Sequence, residues 1–356
     1  MAVRRRTPAT GIAALAGLAV AVLALVFVLT LTVHDEQAQA ASARSHRGSL
    51  QAFLLAGAPD SFADLQAHAA SIGVVYPTYF DCSPVGGAII GEANPQITAY
   101  TRAHHLKVMP RFNCQDGEAV HTILTDPTTR RRVLSGLVRI AKNPAYAGLN
   151  LDLENDGVGG RAALTSFVTD LAAQLHLRHK QLSVDVVGVT ADDLRHSTAF
   201  YDDQALSAVA DTVFVVAWGT HWAGSLAGPI GDLQFVDGVA TYIASLPNAR
   251  KFVLGVPMYG LDWPNGGGPA NMATAYQYSG VTALAHARHA TPIHDAASDE
   301  MRFSYASNGV SHQVWYLDAR AVSDRLRIGR AHGLAVGVWR LGAEDQKLWA
   351  SSAVAG

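Results

Sequence analysis

Two carboxylates and an amide stand at alternating positions of one short segment. Residues 146–156 read YAGLNLDLEND, so that hydrophobic residues separate Asn150, Asp152 and Glu154. This alternation is typical of a β-strand whose polar side chains share one face, and it places Asp152 and Glu154 roughly 6–7 Å apart. Carboxylates this close raise the pKa of one partner, which lets a Glu donate a proton near neutral pH. A structural polar cluster or a metal site is the alternative interpretation.

The composition provides a large core and no strongly charged surface. The chain has 356 residues, of which 49% are hydrophobic and 16% charged, and its formal net charge is −2. A nearly neutral chain offers no electrostatic basis for binding nucleic acid. The 15 His residues are scattered, without metal-site spacing to a Cys or carboxylate. We therefore expect neither a metal nor a cofactor.

The N-terminal region predicts export. Residues 1–10 are basic, and residues 11–33 contain no charge over 23 positions, which is long enough to span a bilayer. The basic residues favour a cytoplasmic N-terminus, so the rest of the chain, after a polar linker at 34–48, would lie outside the cell membrane as a single-pass protein. Cleavage near Ala40, where small residues cluster, would instead release a secreted protein.

From residue 49 onward, short apolar runs alternate with helical patterns. The alternation predicts a parallel sheet closed as a (β/α)8 TIM barrel, which would make 49–356 one catalytic domain. A doubly wound open sheet is the alternative, but no Gly-rich phosphate loop follows the first strand. The predicted strands cover residues 50–57, 74–80, 106–112, 147–154, 181–189, 211–218, 251–260 and 334–342.

One interval, at about 264–317, interrupts this alternation between the seventh strand and the last helix. A helical piece near 279–289 is followed by two aromatic-rich runs around Ser307, Asn308 and Gly309, a pattern that predicts a hairpin. The interval therefore predicts a small α+β insertion on the side of the barrel where an active site is expected.

In such a barrel, the acidic strand would contribute to the active site. Catalytic residues of such barrels lie at the carboxyl ends of the strands, so Glu154 would be nearest the mouth. Four other residues near strand ends are candidate lining residues, although each is equally explained as packing or loop surface: Tyr79, Asn113, His221 and Trp222.

The acidic strand resembles that of glycoside hydrolase family 18, whose motif is Asp-Gly-x-Asp-x-Asp-x-Glu. Residues 147–154 keep the last two acids, with Asn150 in place of the middle one and Ala147 in place of the first. The chain looks most like the bacterial branch that includes spore-cortex and cell-wall lytic enzymes. Three further stretches are similar to the family in order and spacing: 216–230, 252–263 and 314–349.

This resemblance implies a glycosidase that cleaves β-1,4 bonds of N-acetylated amino-sugar glycans, in peptidoglycan or chitin-like polymers. The family is a substrate-assisted exception among retaining glycosidases. Glu154 would be the general acid and base, Asp152 would hold the substrate acetamide, and Asn150 would support Asp152. Because Asn150 cannot ionise, charge exchange along an acidic column would be lost. The expected partner is the polysaccharide substrate, and we expect the protein to be a monomer.

The second difference from the family motif lies at an aromatic position. Trp218 stands where the family has a Tyr that contacts the acetamide, and Gly219 replaces the following Asp. An indole N–H donates a hydrogen bond but accepts none. The resemblance assigns Trp339 to the floor of the sugar site, with a core aromatic as the alternative, and places Tyr259 facing the cleft. These departures leave open a catalytically weak or silent, lectin-like member of the same fold.

Cys82 and Cys114 form an even pair in a chain expected to be exported, where disulfides persist. They follow the second and third predicted strands, whose ends are neighbours in a barrel. We therefore predict a disulfide, with two buried free thiols as the alternative.

Overall fold

The computed structural model describes residues 50–154, 158–196 and 200–354. The predicted membrane segment at 11–33 lies outside these ranges. Within them, no helix has both the length and the hydrophobicity that crossing a bilayer requires.

The strands of the described ranges are numbered in chain order. They are β1 (Leu50–Leu54), β2 (Ile72–Cys82), β3 (Ile89–Gly91), β4 (Lys107–Val108), β5 (Arg111–Cys114), β6 (Gly148–Leu153), β7 (Gln181–Val187), β8 (Thr212–Val216), β9 (Phe252–Pro257), β10 (Tyr259–Pro264), β11 (Thr274–Gln277), β12 (Ile293–Asp295), β13 (Glu300–Ser307), β14 (Val310–Tyr316) and β15 (Ala335–Trp339).

The α-helices of the same ranges connect these strands. They are α1 (Pro59–His68), α2 (Pro95–Ala103), α3 (Gly117–Thr125), α4 (Pro127–Ala141), α5 (Arg161–His176), α6 (Ala191–His196), α7 (Asp203–Val209), α8 (Leu233–Ala244), α9 (Tyr278–Ala287) and α10 (Ala319–Ala331). Several begin at an Asp whose carboxylate accepts a backbone N–H, as Asp126 does from Thr129 at 2.7 Å.

Within the described ranges, eight parallel strands close into a barrel. The order around it is β1, β2, β5, β6, β7, β8, β9 and β15, and β15 pairs again with β1. The predicted (β/α)8 barrel is therefore confirmed. The third barrel position is divided into β4 and β5, because Pro110 stands between them and has no N–H to donate to the sheet.

The interval between β9 and α10 forms a separate five-stranded antiparallel sheet, in the order β11, β10, β14, β13 and β12. The predicted seventh strand is in fact two strands: the chain leaves the barrel at Met258, whose N–H donates to the Trp339 carbonyl at 2.7 Å, and enters the inserted sheet at Tyr259. The hairpin between β13 and β14 turns at Asn308 and Gly309, which both have positive φ, as a two-residue hairpin turn requires.

A disulfide joins Cys82 at the end of β2 to Cys114 at the end of β5, with 5.1 Å between the Cα atoms. The prediction of this bond is confirmed. The two strands pair directly in the barrel, so the bond links their carboxyl ends beside the acidic strand. Closing a loop of this length, with a sequence separation of 32, stabilises the folded chain by about 3–4 kcal/mol in the chain-entropy description.

The segment after β15 is held against α1 by a pair of buried acids. Asp64 accepts the Gly342 N–H at 3.2 Å, and Gln346 donates to both Asp64 and Glu344. The Trp349 indole also donates to Glu344, at 3.1 Å. Burial, followed by the charge of Asp64, raises the pKa of Glu344 to about 7. The segment that follows β15 is therefore anchored by a pair of buried carboxyl groups.

We predict that Glu344→Gln removes a pH dependence of stability. Between roughly pH 5 and pH 7, folded Glu344 keeps a proton that the unfolded chain, with a Glu pKa near 4.3, has released. Stability therefore falls as pH rises through this interval, by about 3 kcal/mol for this group. In urea titrations, the variant should match the wild type near pH 4.5 and exceed it at pH 8. A difference that does not change with pH would contradict this account.

Candidate active site

The acidic strand β6 places its polar side chains inside the barrel. Asn150 and Asp152 are buried, and Glu154 follows the end of β6 at the mouth, where its N–H donates to the Cys114 carbonyl at 2.9 Å. Asp152 and Glu154 line a cavity of about 220 Å³. The predicted shared face of the strand therefore opens into a cavity at the carboxyl ends of the strands.

Asp152 is bound by a buried arginine on the neighbouring strand. Arg111 Nε donates to Asp152 Oδ2 at 2.8 Å, and a second guanidinium nitrogen donates to the same oxygen. The guanidinium also lies over the rings of Trp339 and Phe53, at 5.0 and 5.8 Å from their centroids. Burial lowers the pKa of Arg111, but the nearby carboxylates, Asp152 first, outweigh it and raise the pKa overall. Arg111 therefore supplies a fixed positive charge beneath the cavity.

Glu154 has the properties of a proton donor. Gln115 donates to its carboxylate at 3.2 Å. Burial, followed by the negative charge of Asp152, raises the pKa of Glu154 to about 7. A substantial fraction of this carboxyl is therefore protonated at neutral pH, as general acid catalysis requires.

A third acid, Asp185 on β7, lines the same cavity. It is buried, and Asn150 Nδ2 donates to its Oδ1 at 2.5 Å and to Ser183 Oγ at 3.2 Å. Burial, then the charge of Asp152, raises the pKa of Asp185 well above the usual range. Asn150, which we expected to support Asp152, thus has different partners, because its amide points toward β7.

Aromatic side chains form the walls. Trp218 and Trp339, both candidates from the sequence, line the acidic cavity. A second cavity of about 420 Å³ shares Trp339 and is lined by Tyr259 and Trp222. The candidate aromatic residues therefore divide between two adjoining cavities.

Three other candidate lining residues are placed elsewhere. Tyr79 is buried in the apolar cluster shared by the strands and the surrounding helices, because its position on β2 faces outward. His221 contacts its own loop, with Nδ1 at 2.8 Å from the Pro229 carbonyl. Asn113 accepts from Arg111 at 2.8 Å and donates to Asp81 at 3.0 Å. Asn113 therefore orients Arg111 rather than lining the cavity.

Sequence reasoning missed Arg111, Asp185 and Tyr201. Tyr201 is buried, and its hydroxyl donates to the Leu153 carbonyl at 3.0 Å, just before Glu154. A signal for the first two did exist: each is a charged residue within a predicted strand that is largely buried. A buried charge without a partner is costly, so each implies a polar partner on another strand.

Comparison with known proteins agrees with this geometry. The profile of glycosyl hydrolases family 18 matches residues 43–344. The chain belongs to this family. As the enzymes of the family are glycosidases, the chain is a glycosidase, and the family resemblance of its motifs is confirmed.

Relatives include bacterial glycosylases and cortical fragment-lytic enzymes. The chain is 26% identical over 273 residues to the uncharacterized glycosylase YvbX of Bacillus subtilis (strain 168), covering 74% of this chain and 79% of that protein. It is 24% identical over 262 residues to the cortical fragment-lytic enzyme of Bacillus anthracis, covering 70% of this chain and 60% of the enzyme's length. A crystal structure of a chitinase from Chromobacterium violaceum superposes with a TM-score of 0.75 at 25% identity, covering 86% and 97% of the two chains.

We predict that Arg111→Met destabilises the family's barrel in this chain. The change leaves the Asp152 carboxylate buried without its cation, which costs about 3–5 kcal/mol of unfolding free energy. Guanidinium titrations should show most of this loss recovered in Arg111→Met/Asp152→Asn, since no buried charge then remains unpaired. Arg178→Met, at an exposed position in the turn after α5, is the matched control and should change stability by less than about 0.5 kcal/mol. A double variant no more stable than Arg111→Met would show that the pair does not account for the loss.

Proposed function

We propose that this glycosidase is exported and hydrolyses β-1,4 bonds of N-acetylated amino-sugar glycans, with Glu154 as general acid and base. The observation that carries the proposal is the pair at the mouth of the barrel: Glu154, with a pKa raised to about 7, above a buried Asp152. One carboxyl can release a proton near neutral pH while the other remains bound to Arg111.

The chemistry is a substrate-assisted displacement. Glu154 protonates the glycosidic oxygen while the substrate's acetamide oxygen attacks the anomeric carbon, and the bond to the leaving sugar breaks. The resulting oxazolinium ion is opened by water, whose proton returns to Glu154. The anomeric configuration is retained after two inversions.

In this scheme Asp152 accepts a hydrogen bond from the acetamide N–H. Its Oδ2 atom is engaged by Arg111, which reduces its nucleophilicity and favours an electrostatic role over a covalent one. The negative charge of Asp152 then stabilises the oxazolinium cation, since opposite charges interact strongly in a site of low dielectric constant.

The two cavities fit a linear glycan. They adjoin at Trp339, so that a sugar over Trp339 can continue into the cavity between the barrel and the inserted sheet. Aromatic faces such as those of Trp339 and Trp222 suit the apolar faces of sugar rings, and Trp222 is largely exposed. This arrangement supports a polymeric rather than a monosaccharide substrate.

We favour peptidoglycan over chitin as the substrate. Curated relatives include cortical fragment-lytic enzymes, whose name indicates a wall-derived substrate, although chitinases are among the similar structures. The uncharged run at 11–33 would hold the enzyme at the membrane beside the wall, or guide its secretion if it is cleaved. The Cys82–Cys114 disulfide supports this location, because such bonds persist in oxidising compartments.

The proposal is tested with the purified protein on chitooligosaccharides and on purified peptidoglycan. Mass spectrometry of the new reducing ends identifies the bond cleaved. We expect cleavage of peptidoglycan on the reducing side of an N-acetylated sugar, with the β-anomer as the first product. Binding of both glycans without any new reducing end would contradict the proposed function and favour a lectin-like role.

We predict that Glu154→Gln lowers kcat by about 10²–10⁴-fold, the usual contribution of general acid–base catalysis, and leaves oligosaccharide affinity nearly unchanged. In the wild type, kcat/KM should fall as pH rises through about 7, because Glu154 of the free enzyme loses the proton that it must donate. This alkaline limb should be absent from the residual activity of the variant.

Glu118→Gln, at an exposed position on α3, is the control and should keep the wild-type rate and profile. A Glu154→Gln enzyme with nearly full activity would show that another group is the acid.

A further inference from the structure

Asp185 is a buried acid that the proposed reaction does not yet use. The pairing of β6 with β7 sets Asn150 opposite Ser183 and Leu151 opposite Val184. Continued by one residue, this register places Asp185 beside Asp152 on the inner face of the barrel. Both acids line the same cavity, so two carboxyl groups occupy one layer of the barrel interior.

This layer has more acid than its cation can neutralise. Arg111 directs its hydrogen bonds to Asp152 and Asn113, and Asp185 receives its short hydrogen bond from the neutral amide of Asn150. Two carboxylates that share a buried site cannot both ionise without a large cost. The titratable and charged groups that face Asp185 from the surrounding elements are Tyr76, Arg111, Asp152, Glu154 and Tyr201.

The environment of Asn150 also favours a protonated carboxyl in this layer. Its Oδ1 atom is fully buried and has no hydrogen-bond partner among the described residues. An unsatisfied buried acceptor is unusual in a native structure and calls for an explanation. A protonated carboxyl would bring an O–H donor into the layer where Asn150 lies.

An acid on the neighbouring strand contacts the amide of Asn150. The family motif has an acid where this chain has Asn150, and here the extra acid stands on the next strand, hydrogen-bonded to that amide. We propose that Asp185 is a positioning residue that shares one proton with Asp152 and thereby replaces the acid missing from β6. This inference rests on the proposed function of Glu154 and Asp152.

The shared proton follows the charge of the substrate. When the oxazolinium cation forms, the proton resides on Asp185 and Asp152 carries the negative charge that faces the cation. When water consumes the cation, Glu154 recovers a proton from that water, and the proton of the acid pair can move toward Asp152. No proton is gained or lost by the pair, and the buried layer never holds two carboxylates against one arginine.

The first test is independent of activity. Infrared spectra of the wild-type protein at pH 7 should contain the carbonyl stretches of several undissociated carboxyls, Glu154 and Glu344 among them. The difference between the spectra of the wild type and Asp185→Asn should therefore contain one band that belongs to Asp185. The band should persist in Glu154→Gln, which separates Asp185 from the proposed general acid. A spectrum unchanged by Asp185→Asn would overturn the proposal, even if Glu154 proves essential for hydrolysis.

The second test exchanges the two residues. Asp185→Asn should lower kcat about tenfold with KM within about twofold, because an amide holds Asn150 but cannot pass a proton to Asp152. The exchanged variant Asn150→Asp/Asp185→Asn restores one acid to the layer and should recover kcat to within about threefold of the wild type. An exchanged variant as slow as Asp185→Asn, with native stability, would show that Asp185 acts only through packing.

Asp203→Asn is the matched control, since Asp203 is a buried acid on α7 whose pKa is raised to about 6 by burial. It lies outside the residues that line the acidic cavity and should leave kcat and its pH profile unchanged.

Discussion

The ion pair between Arg111 and Asp152 sets the electrostatics of the barrel interior. A buried carboxylate is stable only when a cation or several donors compensate it, and Arg111 on β5 provides that compensation from the adjacent strand. The guanidinium is itself covered by the rings of Trp339 and Phe53. The aromatic rings and the buried charge of the cavity are therefore in direct contact.

This pair also explains why the three acids of the cavity differ. Arg111 donates its hydrogen bonds to Asp152 rather than to Asp185 or Glu154. Asp185 and Glu154 therefore lie near the negative charge of Asp152 without an ion pair of their own within the described ranges. Burial and that charge raise the pKa of both, to about 7 for Glu154 at the mouth and well above the usual range for the deeper Asp185. The three acids thus differ because only Asp152 is hydrogen-bonded to the arginine.

The sequence alone predicts the parts of this structure that depend on local periodicity. The alternation over 147–154 identifies β6 and its inner face, and the succession of strands and helices identifies the barrel. Local periodicity does not reveal contacts between strands, because the residues in contact are far apart in the sequence. Arg111 is 41 residues from Asp152, and Asn150 is 35 residues from Asp185. Side chains of a strand also alternate between its two faces. Tyr79 therefore faces the helices, while nearby Tyr76 faces the barrel interior.

The walls of the cleft are fixed by charges buried outside it. Glu300 of the inserted sheet accepts the N–H groups of Ile230 and Gly231, both at 2.9 Å, and Arg325 donates to the Gly231 carbonyl at 2.8 Å. Ile230 in turn accepts the Gly219 N–H at 2.7 Å, directly after Trp218.

The backbone that carries Trp218 is thus tied to both the insertion and α10. Since this loop is held in place, the difference between Trp218 and the family's Tyr lies in the side chain rather than in the backbone. An indole N–H donates a hydrogen bond and accepts none, so the polar contact that Trp218 can offer in the cavity is limited to groups that accept.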